Sequence, residues 1–455
     1  MRSRQLSSLT TAGKKFLWMI SWLEKQRQRS EMVSRPIAFT DSQEWTIQGG
    51  MLVHATGGFF RVEGLKGQFR ASELLDIEQP IINQPEIGIL GFLVYRNEEG
   101  LHWLLQSKNE PGNVGAAQLA PSVQATFSNY MRKHGGAPTF YLDHFLNTKA
   151  FLSNSLQSEQ GTRFLTKFNR NMVVEITKEE ALASDNFGWC STSDLKDVLL
   201  TDYAINTDAR SVIATAPWLL LSEGEELFSG ARAQACFGGR LAASYRHAGR
   251  ENLPDLIGRM LTTIRADIAI DVQTCGLDEL EGWVFSDNKI CCQKDERELV
   301  VEHYEVSAPD RERTHWDQPL FRSLDIDKVQ LFCQQRDGLL RFLLRPAIEV
   351  GLTEGVEIGA TYKKETAAMA PGWLRELVHS ARGTAKLTVE QSDEGGRFME
   401  SRCRYSIVEL PADVHVPDDP WNIWVSLSEL EALCRTPKLL TNEARSVVSV
   451  LMSLA

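Results

Sequence analysis

Amides, small residues and prolines alternate along one stretch of this chain, a mixture suited to holding a polar ligand. From Gln106 to Gly136 it reads QSKNEPGNVGAAQLAPSVQATFSNYMRKHGG, with Gln106, Asn109, Asn113, Gln118, Gln124 and Asn129 spread through it. Amide side chains both donate and accept hydrogen bonds, and small neighbours let a backbone approach a ligand closely. Pro121-Ser122 ahead of Val123 to Lys133, with Gly135-Gly136 behind, predicts a helix capped by Ser122. A helix N-terminus beside a glycine-containing loop suits a phosphate. Composition alone favours a plainer reading, a polar surface loop followed by an ordinary capped helix. A second stretch places Lys167, Asn169, Arg170 and Asn171 just ahead of an apolar strand. Such a set can clamp a diphosphate, arginine by forked hydrogen bonds and lysine as a point charge. Taken alone it equally fits a solvated strand edge. His54, close to Gly57-Gly58, is a weaker candidate, because a lone histidine is usually structural.

These residues need elements to position them. The apolar run Ile87 to Tyr95, the turn Asn97-Glu-Glu-Gly100 and the run Leu101 to Gln106 predict a hairpin. A β-branched strand follows near Met172 to Ile176, and Ser191 to Ser193 offer a cap for a helix carrying Leu195, Val198 and Leu199. Between about 222 and 282 the stripe Leu256, Ile257, Met260, Leu261 and Ile264 predicts a helix.

The chain also repeats itself. Gln157 to Phe164, Arg170 and Val174-Glu175 recur as Gln391 to Phe398, Arg404 and Val408-Glu409, all at one interval. Trp189 and Ala209-Arg210-Ser211-Val212 recur as Trp424 and Ala444-Arg445-Ser446-Val447 at a second interval. Gln79-Pro80 and Glu110-x-Gly112 recur as Gln318-Pro319 and Glu349-x-Gly351 at a third. Landmarks in one order at stable intervals imply a duplicated domain rather than a solenoid turn. The expected organisation is an extension over 1–40, a first domain over 41–221, a helical linker over 222–282 and a second domain over 283–455. The expected class is α+β, two similar mixed domains. The second copy is eroded, since Glu349 to Thr361 lacks the Pro-Gly-Asn and Pro-Ser pairs.

Bulk properties narrow the classes. The 455 residues are 43% hydrophobic and 24% charged, ample for a globular core. A net charge of −11 argues against nucleic acid as partner, yet leaves room for a small anion in a locally basic pocket. The eight cysteines show no CxxC and no zinc-ligand spacing, so no metal site is expected. No secretory leader or membrane span is read, and free thiols in the cytoplasm are the plain expectation.

The stretches Gln79 to Gly91, Gln106 to Asn113, Leu119 to Thr126, Ser128 to Tyr130, Ser158 to Gly161 and Lys167 to Asn171 point further. With Trp316 to Pro319 and Glu394 to Phe398, they resemble the NDP-hexose 2,3-dehydratases of deoxysugar biosynthesis. The resemblance runs from about His54 to the C-terminus. It implies two Nudix-like domains that arose by duplication, a homodimer, and a thymidine-diphosphate-linked 4-keto-6-deoxyhexose as substrate. The loop Leu119-Ala-Pro-Ser122 departs mildly from that family's Leu-Ser-Pro-Thr.

The implied reaction is an elimination. The C4 ketone acidifies the C3 proton, a base removes it, the C2 hydroxyl leaves with acid help, and the enol becomes a 3,4-diketo sugar. No cofactor is needed, and no G-x-G-x-x-G opens a helix after a strand. The step needs a base, a donor for the enolate and an acid at the leaving group. On the matched residues Glu110 is the leading base or acid, although its repeat in Glu349 equally permits a structural role. Lys108 or Arg170 stabilises the enolate or binds phosphate, and Tyr130, His134 and Glu159 are alternates for proton transfer. Gln106, Asn113, Gln118, Ser122, Gln124, Asn129, Lys167, Asn169, Arg170 and Asn171 are the substrate-binding candidates. The unstable product makes a 3-ketoreductase a plausible functional partner. Two other readings stay open: a non-catalytic sugar-nucleotide-binding paralogue and a Nudix-type hydrolase. The hydrolase requires the glutamate box Gx5Ex7REUxEExGU, which neither copy contains.

Overall fold

The computed structural model describes residues 17–70, 74–126, 139–180, 184–224, 226–229, 235–294, 299–309 and 313–455. The hairpin forms as its pattern requires, Gly88–Asn97 against Gly100–Asn109 around the Asn97-to-Gly100 turn. It is the centre of a seven-stranded sheet in the order Ser153–Ser158, Phe168–Glu175, Gly88–Asn97, Gly100–Asn109, Phe187–Ser191. Short strands Ala117–Pro121 and Val123–Ala125 lie beside the second and first hairpin strands. Phe168–Glu175 runs parallel to Gly88–Asn97, and the other pairs are antiparallel.

A second seven-stranded sheet has the same order: Thr384–Ser392, Arg402–Leu410, Asp327–Arg336, Leu339–Ile348, Ile423–Val425. Val356–Gly359 and Tyr362–Lys363 flank its central hairpin, and its parallel pair joins Asp327–Arg336 to Arg402–Leu410. The chain is a mixed α/β molecule of α+β class.

Each smaller sheet takes a strand from outside its neighbours in sequence. Val33–Ile37 pairs with Val300–Ser307 of the later half, while Asp271–Cys275 pairs with Arg61–Arg70 of the earlier one. The segment 1–40 therefore contributes a strand as well as its helix Leu17–Arg29. The segment 222–282 contains helices Ala235–Arg246 and Leu253–Ile268. Leu253, Ile257, Leu261, Ile264 and Ile268 form the buried face of the latter, but Leu256 is exposed. Leu256 lies about 100° around the helix from Ile257, off the i, i+4 row that packs. Among the described residues no helix is long and apolar enough to cross a membrane.

Helices Thr207–Thr215 and Asn442–Met452 are buried along their whole length and pack on each other at the centre. Asn206 caps the first through Ala209 N–H (3.0 Å), and Thr441 caps the second through Ala444 N–H (3.3 Å). Their buried arginines cross between halves. Arg210 donates to the carbonyls of Ile205 (2.8 Å) and Ser392 (3.0 Å), and Arg445 to those of Leu440 and Ser158. These bonds satisfy guanidinium donors that would otherwise be costly to bury, although Arg210 Nε is left without a partner among the described residues.

One expectation fails outright. Ser122 does not cap a helix; it sits between the strands ending at Pro121 and starting at Val123. Its Oγ accepts from Leu93 N–H (2.9 Å) and donates to the Leu104 carbonyl (2.6 Å), joining both hairpin strands. Pro-Ser before a polar run mimics a cap, but pairing with the hairpin held this segment extended. The rest of that expected helix, with Asn129, Tyr130 and His134, lies outside the described residues. By contrast Ser191 caps Thr192–Leu199, burying Leu195, Val198 and Leu199.

Candidate active site

A cavity of about 960 Å³ opens between the halves. That is ample for a sugar nucleotide, whereas small-ligand sites span roughly 300–1,000 Å³. The hairpin strand Gly100–Asn109 carries Lys108 near its end and delivers Glu110 to the wall; Gln124, Lys167, Asn169 and Asp208 come from neighbouring elements. The later half supplies Trp316, Gln318, Glu394 and Arg397. The halves meet here through reciprocal backbone bonds. Gly112 N–H donates to Gly395 O (2.8 Å), and Gly351 N–H to Gly161 O (2.7 Å). Gly112 is required: a methyl group there would overlap the Phe398 carbonyl.

Lys108 Nζ and Glu110 Oε1 form an ion pair at 2.8 Å. Glu110 is 8% exposed, and its other oxygen, Oε2, is buried without a hydrogen-bond partner among the described residues. Gln124 Nε2 reaches Glu110 Oε1 at 3.5 Å, and Gln124 Oε1 accepts from Asn206 Nδ2 at 3.0 Å. The cap residue of the central helix thereby orients the amide that supports Glu110.

The cations are separate from this pair. Lys167 is buried and donates to the Glu86 carbonyl; burial pulls its pKa below the ordinary lysine value despite nearby Glu159. Arg397 stacks over Phe60 at 4.2 Å and donates to Gly396 O and to Gln84 Oε1 (3.2 Å). Its Nε is buried without a partner among the described residues. Phe60 packs on Trp45 (4.8 Å), and Trp45 and Phe59 flank His54 edge-on, so an aromatic wall adjoins the cationic one. His54 lines the cavity, its Nδ1 paired with Thr56 Oγ1 at 2.8 Å.

Of the expected site residues, Lys108, Glu110, Gln124, Lys167 and Asn169 meet in this cavity. Others are turned elsewhere. Arg170 bonds Asn154 (3.0 Å) on the opposite face of its strand, because successive strand residues alternate sides. Asn171 ties the sheet to the central helix through Ser211 and Thr215, and Gln118 bonds Ser392 Oγ at 2.5 Å. Asn113 donates to the carbonyls of Lys108 and Ala116, fixing the loop that carries Glu110. Gln106 sits mid-strand opposite Ala120, away from the cavity. Glu159 lies behind the wall and accepts from Asn169 Nδ2 (2.6 Å) and Asn442 Nδ2 (2.8 Å). Burial, against the pull of Arg445, raises its pKa to about 7.

Asp208, Glu394, Arg397 and Trp316 were absent from the expected set. A signal was present, for Arg397 stands inside the repeated Gly-x-Arg-Phe landmark and Asp208 immediately precedes the repeated Ala-Arg-Ser-Val. Asp208 is 3% exposed. Burial first, then Glu394 and Glu159, push its pKa well above the ordinary carboxyl value; Lys108 opposes them, and Glu110 adds to the rise.

The corresponding place in the later half is nearly filled. There a cavity of about 60 Å³ is lined by Glu349, Lys363 and Glu443, room for only a few water molecules.

The sequence model of the family described as NDP-hexose 2,3-dehydratase matches this chain over residues 18–216 and 256–451. The chain belongs to that family. It is similar to dTDP-4-dehydro-6-deoxy-alpha-D-glucopyranose 2,3-dehydratases from three organisms. With that of Saccharopolyspora spinosa it is 32% identical, over 95% of this chain and 90% of the relative. The Amycolatopsis orientalis protein is 30% identical, over 99% and 93%. The Streptomyces violaceoruber protein is 32% identical, over 89% of each. Membership covers both halves, so the cavity between them is built wholly from family sequence.

Proposed function

We propose that this cavity binds a thymidine-diphosphate-linked 4-keto-6-deoxyhexose and eliminates its C2 hydroxyl. The chain is a dehydratase, a hydro-lyase. The observation that carries the assignment to this site is the Lys108–Glu110 pair with Glu110 Oε2 left unpartnered in a cavity of sugar-nucleotide size. In this reading Glu110 Oε2 takes the C3 proton and the Lys108 ammonium stabilises charge developing on the C4 oxygen. Lys167 and Arg397 hold the diphosphate, with the open Arg397 Nε as one donor. Trp45, Phe60 and Trp316 offer faces for the base and sugar.

The rest of the proposal follows from chemistry and architecture. Two Nudix-like domains of common descent are supported by the repeated strand order and reciprocal glycine contacts. The domains are 41–221 and 283–455, with 1–40 and 222–282 as extension and linker. A cytoplasmic location is supported by the seven free thiols among the described residues. Family membership supports a homodimer, and the instability of a diketo product supports coupling to a 3-ketoreductase. Incubation with the 4-keto substrate, a 3-ketoreductase and NADPH tests the activity: a trapped 2-deoxy sugar, insensitive to chelator, is expected. Absence of dehydration with the substrate bound would favour a binding paralogue, and magnesium-dependent nucleoside monophosphate release a hydrolase.

A further inference from the structure

We propose that Asp208 is the general acid that protonates the departing C2 hydroxyl, and that Gln124 keeps it competent by being uncharged. The inference rests on reading the cavity as the site of dehydration. Asp208 occupies the first turn of helix Thr207–Thr215 and lines the cavity. Among the described residues its carboxyl makes neither a hydrogen bond nor an ion pair, so it faces the ligand space. Its charged neighbours are Glu394, Glu159 and Glu110, with Lys108 and Arg397 opposing. Lys108 is already engaged by Glu110, and the charge of Arg397 is shared among Glu394, Glu110, Asp208 and Glu86. The helix N-terminus would favour the anion. Burial among three carboxylates outweighs it and raises the carboxyl's affinity for a proton, the direction a general acid needs.

The chain contains its own comparison. Glu349 and Glu443 stand in the later half where Glu110 and Asp208 stand in the earlier one. Strand register identifies the residue between them. Gln124 is opposite Leu90 and Lys363 is opposite Val329, on short strands anchored identically by Ser122 and Thr361. Lys363 Nζ is 3.4 Å from Glu349 and 2.5 Å from Glu443, and also pairs with Glu365 at 2.6 Å. That lysine joins the carboxylates and the space closes around it. With an amide at the same position the earlier pair stays apart, one carboxyl set against Lys108 as base and the other protonated as acid.

The step balances. Glu110 takes the C3 proton, the C3–C4 enolate collapses, the C2–C3 double bond forms as the C2–O bond breaks, and Asp208 supplies the proton that makes the leaving hydroxide water. Ketonisation returns a proton from Glu110 to C2, and the enol hydroxyl proton restores Asp208.

The two half-reactions separate the acid from the base. In D2O, Asp208→Asn is expected to bind and exchange deuterium at C3 of the 4-keto substrate at close to the wild-type rate, while dehydration falls at least about a hundredfold. The wild-type high-pH decline in kcat should disappear from its residual activity. Asp208→Ser gives the same pattern and serves should Asp208→Asn not fold. Gln124→Lys, with the melting temperature of wild type, is expected to lose dehydration to a similar degree. Wild-type dehydration by Asp208→Asn, or loss of C3 exchange in that variant with substrate still bound, would overturn the acid assignment. Unchanged turnover in Gln124→Lys would overturn the role of Gln124. A wild-type protein that neither exchanges nor dehydrates would instead defeat the functional reading on which both rest.

Discussion

Lys108 and Glu110 show how little separates a structural ion pair from a reactive one. Their contact at 2.8 Å satisfies one carboxylate oxygen, and the second is left buried without a partner. An unsatisfied buried acceptor costs on the order of 1–3 kcal/mol, which a ligand can recover. Glu110→Gln should therefore fold normally yet lower kcat at least about a hundredfold. Stopped assays of the trapped product check this, and near-normal turnover would remove Glu110 from the mechanism. Lys167 belongs to binding. Replacing it by Met should raise KM about tenfold or more, the worth of a charged hydrogen bond, with a smaller change in kcat. A change confined to kcat would place Lys167 at the reacting ring instead. Glu159 is a residue of stability. Its folded pKa of about 7 lies above the ordinary carboxyl value, chiefly because it is buried. The native state thus holds an extra proton between about pH 4.5 and 7, and this contribution is lost as pH rises through that window. Urea midpoints of wild type and Glu159→Gln should converge at low pH, with the variant relatively more stable above pH 7.

At the level of elements, the two hairpins with their side strands decide the site. Ser122 and Thr361 each donate to one hairpin strand and accept from the other, so the hydroxyl replaces a ladder bond where the chain steps sideways. Removing either leaves a buried amide unsatisfied. Ser122→Ala and Thr361→Ala should each destabilise by about 1–3 kcal/mol and, being distant, act additively in the double variant. Chemical denaturation measures both, and strong non-additivity would mean that the hairpins are mechanically coupled. The hairpin itself was legible, as were the Ser191 cap and the Ile257, Leu261 and Ile264 part of the buried face of Leu253–Ile268, because each depends on spacing within one element. Ser122 was not. Its local string reads as a helix start, and the bonds that hold it extended come from Leu93 and Leu104, which only the folded hairpin brings near.

For the whole molecule, exchanged strands and crossed arginines make the halves interdependent. Val33–Ile37 completes the later half's small sheet, Asp271–Cys275 the earlier one's, and Arg210 and Arg445 reach across the centre. Calorimetry should accordingly show one unfolding transition rather than two, and Arg445→Leu should cost about 3 kcal/mol or more by stranding carbonyls and neighbouring buried acids. Two resolved transitions would show that the halves fold independently despite these contacts.

What the linear order of residues settled by itself was the α+β class, the doubling of landmarks and the amide-rich loop with its lysine and glutamate, since periodicity and repetition are properties of the string. Which of those polar groups share a space was decided by the fold. Strand alternation sent Arg170 and Asn169 to opposite faces, and burial turned Asn113, Gln118 and Asn171 into ties between elements. The junction of the halves brought Arg397 and Glu394 against Asp208, residues far apart along the chain. A carboxyl's proton affinity is set by the charges and solvent around it in space, and no reading along the chain supplies those.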